Sequence, residues 1–125
     1  MSINLKRPIV PAIAIEMLNR RTRLIGIPKE KVQVIMTLPD ISEFNDELFD
    51  AIDFFKHRAE SFIISSSSKE HCLALLKKYD LKEDLISIEF KEFSKIFNMR
   101  DQNRNLKKSL MIIDTNCQIT HKDVL

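Results

Sequence analysis

Glycine is almost absent from this sequence: there is one, with four prolines, in 125 residues. That scarcity excludes flexible linkers, low-complexity tails and glycine-rich phosphate loops. Cysteine is nearly as rare. Cys72 and Cys117 are the whole supply, too few for the disulfide framework of a small secreted fold, so the cytoplasm is the expected compartment. An excess of one charge is also missing. The net charge is +2 and the pI about 8.6, too mild to imply nucleic acid or an anionic membrane. No apolar run approaches the roughly 20 residues that span a bilayer. The first ten residues, MSINLKRPIV, lack the apolar stretch and cleavage site of a signal peptide. What is present is 44% hydrophobic and 30% charged side chains, enough for one core and one domain over residues 1–125.

Periodicity orders the elements. Residues 12–18 and 22–27 read as strands joined through Asn19-Arg20-Arg21 into a hairpin, and Gly26-Ile27-Pro28 then turns the chain. Residues 31–38, KVQVIMTL, suit a central strand covered on both faces. Pro39-Asp40 ends it, and Ser42 is the expected N-cap of a helix over residues 43–59. The apolar stripe of that helix is Phe44, Leu48, Ala51, Ile52, Phe55 and Ala59. Glu43, Asp46 and Glu47 come early in it and Lys56, His57 and Arg58 late, as the helix dipole favours. A buried strand over 61–66 follows. Ser67 and Glu70 have capping-box spacing ahead of a helix over 68–79, with Cys72, Leu73, Leu76 and Tyr79 inward. A strand over 85–90 and a short helix carrying Phe93, Ile96 and Phe97 come next. Two strands over 108–115 and 118–125, turning at Asn116-Cys117, close the chain. Strands alternating with helices imply a partly parallel sheet. The order predicts an α/β thioredoxin-like fold: a central mixed β-sheet flanked by helices, with an N-terminal β-hairpin.

Over residues 11–125 the chain resembles the thiol peroxidase (atypical 2-Cys) branch of the bacterial peroxiredoxins. The resemblance is carried by VIMTLPDISEF, by FIISSSSKEHCLALLKKYDLKEDLISIEF and most clearly by LKKSLMIIDTNCQITHKDVL. It implies an antioxidant chemistry in which a proline and a threonine precede a peroxidatic cysteine at the first turn of a helix. The helix N-terminus and an arginine lower that thiol's pKa, because the thiolate is what attacks peroxide. A second cysteine resolves the sulfenic acid as a disulfide.

This sequence departs from the pattern at each position. Aligned through Asp40, the peroxidatic position falls at Phe44 and the threonine at Ile41. Shifted by one, they fall at Asn45 and Ser42. Neither register supplies a thiol. The arginine aligns with Lys108, which keeps the charge and loses the bidentate fork. The resolving position falls at Leu76, and Cys72 lies one helical turn before it. The resemblance also implies a final helix, which this sequence is expected to lack. Glu43, Asp46 and Glu47 surround the helix start, where carboxylates raise a thiol's pKa. The resemblance therefore implies a degenerate pocket at Asp40, Ile41, Ser42, Phe44, Asn45, Leu76 and Lys108.

Cys72 is the remaining candidate catalytic residue. Its place early in a helix favours a depressed pKa, but it falls on the apolar stripe, where a free cysteine acts as a small hydrophobe. Cys117 is expected to be exposed at its turn and not bonded to Cys72. His57, His71 and His121 lack zinc-type spacing, so neither metal nor other cofactor is expected. Ser65 to Ser68 read as a strand end plus a cap. Arg20, Arg21 and Arg23, with Lys6 and Arg7, form the most basic patch. Without interleaved aromatics it reads as a solvated hairpin tip.

Three functions follow in order of support. The first is a redoxin-like protein without peroxidase activity that serves as a binding, regulatory or self-associating module. The resemblance implies a homodimer through the face around Phe44, with another protein as alternative partner and no membrane contact. The second is a thiol-dependent peroxidase or oxidoreductase acting through Cys72. The third is a weak nucleic-acid binder acting through the arginine hairpin.

Overall fold

Side chains alternate across a strand, so a sheet with apolar residues at every position must be covered twice. A computed structural model, which describes residues 10–125, shows how this is done. Residues 1–9, which include Lys6, Arg7 and all but the last residue of the segment read for a leader, lie outside the described residues. Strand β3 (Val32–Thr37) pairs in parallel with β4 (Ala59–Ile64), and β4 in parallel with β5 (Ile86–Ser87). On its other side β3 pairs antiparallel with β6 (Ser109–Ile113), which pairs antiparallel with β7 (Ile119–Val124). The order is β5-β4-β3-β6-β7. A separate hairpin joins β1 (Ile13–Glu16) to β2 (Thr22–Ile25). The mixed sheet and the N-terminal hairpin are thus as expected.

Two cores lie on the two faces. Ile35, Phe62, Ile64, Met111 and Ile113 point into one, where the hairpin and helix α3 (Phe90–Ile96) cover them. Met36, Ile63 and Leu110 point the other way, toward α1 (Asp46–Phe55) and α2 (Lys69–Tyr79). Phe62, Phe93 and Met99 are fully buried in the first core, Ile63 and Cys72 in the second.

Local capping corrects several expected boundaries. Ser42 does not cap the long helix. Its amide and hydroxyl both donate to Asp40 Oδ1, at 3.0 and 2.7 Å, and Asp40 thereby caps a 3-10 turn over Ile41–Glu43. Asn45, in extended backbone, is the cap of α1, accepting from Leu48 N at 2.9 Å. The helix therefore starts two residues after Phe44 and ends at Phe55. Lys56, His57 and Arg58 lie in a turn closed by Arg58 N donating to Phe55 O, and Ala59 begins β4 opposite Val32. For α2, Ser68 and not Ser67 is the cap, accepting from His71 N at 3.2 Å. The strand expected over 85–90 shrinks to two residues, because Ser87 Oγ turns to Glu16 O and Phe90 enters α3. Phe93 in α3 and Phe97 just past its end are buried, while Ile96 is 40% exposed.

The single glycine has a stereochemical cause. Gly26 sits at φ +83°, and a Cβ there would stand 1.9 Å from Pro11 O. Its amide donates to Gln33 Oε1, a fully buried amide side chain whose Nε2 donates to Ile27 O. Gly26→Ala should destabilise the protein by more than the about 1–3 kcal/mol of the backbone strain alone, because the clash partner is main chain. Urea denaturation measures this, and a loss under 1 kcal/mol would contradict it.

Candidate functional site

The site forms where three segments meet at the C-terminal end of β3. Leu38 N donates to Ile64 O, which extends the parallel ladder past the last residue of β3. Thr37, fully buried, places its Oγ1 2.6 Å from both Lys107 O and Ser109 Oγ. The serine run after β4 closes on the same loop. Ser66 Oγ donates to Pro39 O at 2.9 Å, and Ser67 Oγ accepts from Ile41 N at 2.9 Å. These hydroxyls are structural ties, a fuller role than the strand end and cap expected of them.

The degenerate-pocket residues are brought together, but not as a nucleophile's pocket. Ile41 and Phe44 are buried at 3% and 4% exposure in the core that also holds Leu76 and Cys72. The Phe44 ring meets Tyr79 edge-on at 5.0 Å, and Phe49 stacks on the same Tyr79 at 5.3 Å. Phe44 is thus covered by its own chain and needs no second copy to bury it. Asn45 spends its side chain on the helix cap. Lys108 Nζ lies 2.5 Å from Glu43 Oε1 with both side chains about two-fifths exposed, so the cation at the arginine position is matched by a carboxylate. Asp46 and Glu47 add negative charge to the first turn of α1. Asp46 also accepts from Tyr79 OH at 2.8 Å, a bond that holds the phenol's pKa above its usual value. The Asp40 carboxyl is held low, first by the Ser42 hydroxyl and then by its amide.

Cys72 is fully buried. Desolvation pushes its thiol pKa up, and a hydrogen bond with Ser65 only partly offsets this. The net shift is upward, not the depression that a place early in a helix favours. Cys117 departs from its expected exposure: it is half-buried at φ +63°, packs against the first core, and donates from Sγ to Gly26 O at 2.7 Å. The two thiols belong to different cores and are free. His57, His71 and His121 are exposed and scattered, and among the described residues no group of three potential ligands could hold a metal. The arginine patch also dissolves. Arg23 lies 3.8 Å over the Phe62 ring and donates to Ser61 O, Asp84 O and Glu60, leaving Arg20 and Arg21 exposed. Neither the Tyr79–Asp46 bond nor the Arg23 stack has a signature in sequence, since each joins residues far apart along the chain.

No protein-family model and no curated protein matches the sequence. Solved structures do match the fold. A thiol peroxidase from Chromobacterium violaceum superposes with TM-score 0.72 at 12% identity, over 99% of this chain and 78% of that one. Peroxidoxin BcpB from Mycobacterium tuberculosis gives 0.74 at 14%, over 94% and 84%. A thioredoxin-family thiol:disulfide interchange protein from Chlorobium tepidum gives 0.74 at 11%, over 98% and 89%. The fold is thioredoxin-like, and its structural neighbours include peroxiredoxins and a thiol peroxidase.

The raised Cys72 pKa fixes a pH response. An unfolded thiol ionises near pH 8.5, while the folded one holds its proton to higher pH, so the unfolded state gains and stability falls as pH rises above that value. As pH rises above about 8.5, unfolding free energy should decline with a slope of at most about 1.4 kcal/mol per pH unit from this group. Cys72→Ala should flatten that decline relative to its own stability at neutral pH. An unchanged slope by denaturant titration would contradict the assignment.

Proposed function

We propose that this chain is a thiol-peroxidase-like redoxin without peroxidase chemistry, acting in the cytoplasm as a binding, regulatory or self-associating module. One observation carries the reading: the two positions where a peroxidatic sulfur would stand hold Phe44, packed into the core, and Asn45, spent on the helix cap. Splitting an O–O bond there needs a thiolate held in positive potential. The surroundings supply the opposite. Glu43 neutralises Lys108, and the first helical turn is acidic. The fold neighbours support descent of the scaffold from redox proteins.

Activity through Cys72 is opposed by that residue's complete burial and raised pKa, since peroxide must reach a thiolate. A nucleic-acid role is opposed by the engagement of Arg23 within the protein. The deciding experiment is hydrogen peroxide consumption by the purified protein with a thiol reductant. The expected rate equals the protein-free control. Rapid consumption abolished by Cys72→Ser would replace this reading with the enzyme.

A further inference from the structure

The net charge of +2 conceals an uneven distribution. Residues 91–108 hold six basic side chains against two acidic ones, a net charge of +4, and the rest of the chain carries −2. This run lies on α3 and the loop after it, whose backbone is tightly fixed. The helix ends on Phe97, and Asn98 takes the left-handed region at φ +55°. Met99 N then donates back to Ser94 O at 2.8 Å, the Schellman closure of a helix. A small hairpin follows. Arg100 is bridged to Leu106, and Lys107 N donates to Met99 O at 2.7 Å. Met99 and Leu106 are buried at its base, which leaves Gln102, Asn103 and Arg104 exposed at its tip.

The charge on this surface is unspent. Lys91, Lys95 and Arg104 are exposed, and Arg100 and Lys107 are half-buried. Among the described residues none of the five side chains has an ion pair or a hydrogen bond. Most carboxylates nearby are occupied. Asp101 Oδ1 accepts from Asn103 N and Asn105 N, at 2.8 and 3.0 Å. The loop after β3, tied to Lys107 through Thr37, brings Asp40, bound to Ser42, and Glu43, paired with Lys108. Glu89 and Glu92, at the start of α3, remain exposed. Ile96 is also 40% exposed, on the helix that carries Lys91 and Lys95. That apolar side chain decides between anionic partners. It contributes nothing to holding a phosphate backbone, and no ring here is free to stack a base, since Phe93 and Phe97 are buried and Phe90 packs on the first core. An apolar contact within a charged rim suits a protein partner.

We propose that α3 and the hairpin over residues 99–107 dock an acidic segment of a partner protein, its carboxylates meeting Lys91, Lys95, Arg100, Arg104 and Lys107 while an apolar side chain covers Ile96. This rests on the binding-module reading above and gives the chemistry of the partner. Fluorescence anisotropy tests it with three labelled probes of equal length: a glutamate-rich peptide with a central leucine, the same peptide with serine at that place, and oligouridylate. The wild-type protein should bind the leucine peptide most tightly, and added salt should weaken all binding. Lys95→Glu with Arg104→Glu, shown to be folded by circular dichroism, should weaken it about tenfold or more, because like charges then oppose. Arg20→Glu with Arg21→Glu lowers the net charge by the same amount on another surface and should leave binding unchanged. Ile96→Ser should abolish the preference for leucine. Oligouridylate binding as tight as the leucine peptide would overturn the protein occupant. Peptide binding that survives the Lys95 and Arg104 reversal would overturn the surface. No binding of any probe at low salt would overturn the proposal, while peroxide turnover decides the inactive pocket separately.

Discussion

The C-terminal end of β3 is the constraint from which the rest of this molecule follows. There the strand is parallel to β4 on one side and antiparallel to β6 on the other. Parallel pairing brings the end of β4 level with the end of β3, so the serine run arrives beside Pro39. Antiparallel pairing brings the start of β6 to the same level, so Lys108 arrives beside Glu43. Thr37 fastens the second junction from a fully buried position. Ligand sites in open α/β sheets lie at such points, outside the strand ends where the pairing sense switches.

On the reading proposed above, reactivity is exchanged for packing at this end of the sheet. A peroxidatic thiolate needs a space for peroxide, positive potential and an unsatisfied helix start. Here the space holds the Phe44 ring against Tyr79, the potential is cancelled by Glu43, and the helix start is satisfied by Asn45. Each change alone favours the folded state: an aromatic contact contributes about 0.5–1.5 kcal/mol and an N-cap about 1 kcal/mol.

Much of this was legible in the sequence because its signals are local. Near-continuous apolar runs marked β3 and β4 as strands buried on both faces, and the one glycine marked the turn at Gly26. The element order gave the mixed sheet. Helix starts were less legible, for a physical reason. Asp40, Ser42, Asn45, Ser67 and Ser68 are all competent caps, and which of them acts depends on partners distant in sequence. Ser67 is withdrawn from capping because Ile41 N needs an acceptor. The absence of a thiol at Phe44 and Asn45 was readable directly. The burial of Cys72 followed from the apolar stripe, but the half-buried state of Cys117 did not, since its acceptor, Gly26 O, belongs to the opposite end of the chain.

The incomplete burial of α1 has a dynamic consequence. Proteins open in cooperative pieces, and the pieces with least buried apolar area open first. With no fully buried side chain, α1 is anchored through partly buried Leu48, Phe49 and Ile52 and through the contacts of Phe49 and Asp46 with Tyr79. Its amides are therefore the ones to exchange with solvent through local fluctuation, while those of β3 and β4 wait for global unfolding. A helix so lightly held can adjust its tilt on meeting a neighbour without disturbing the sheet beneath it.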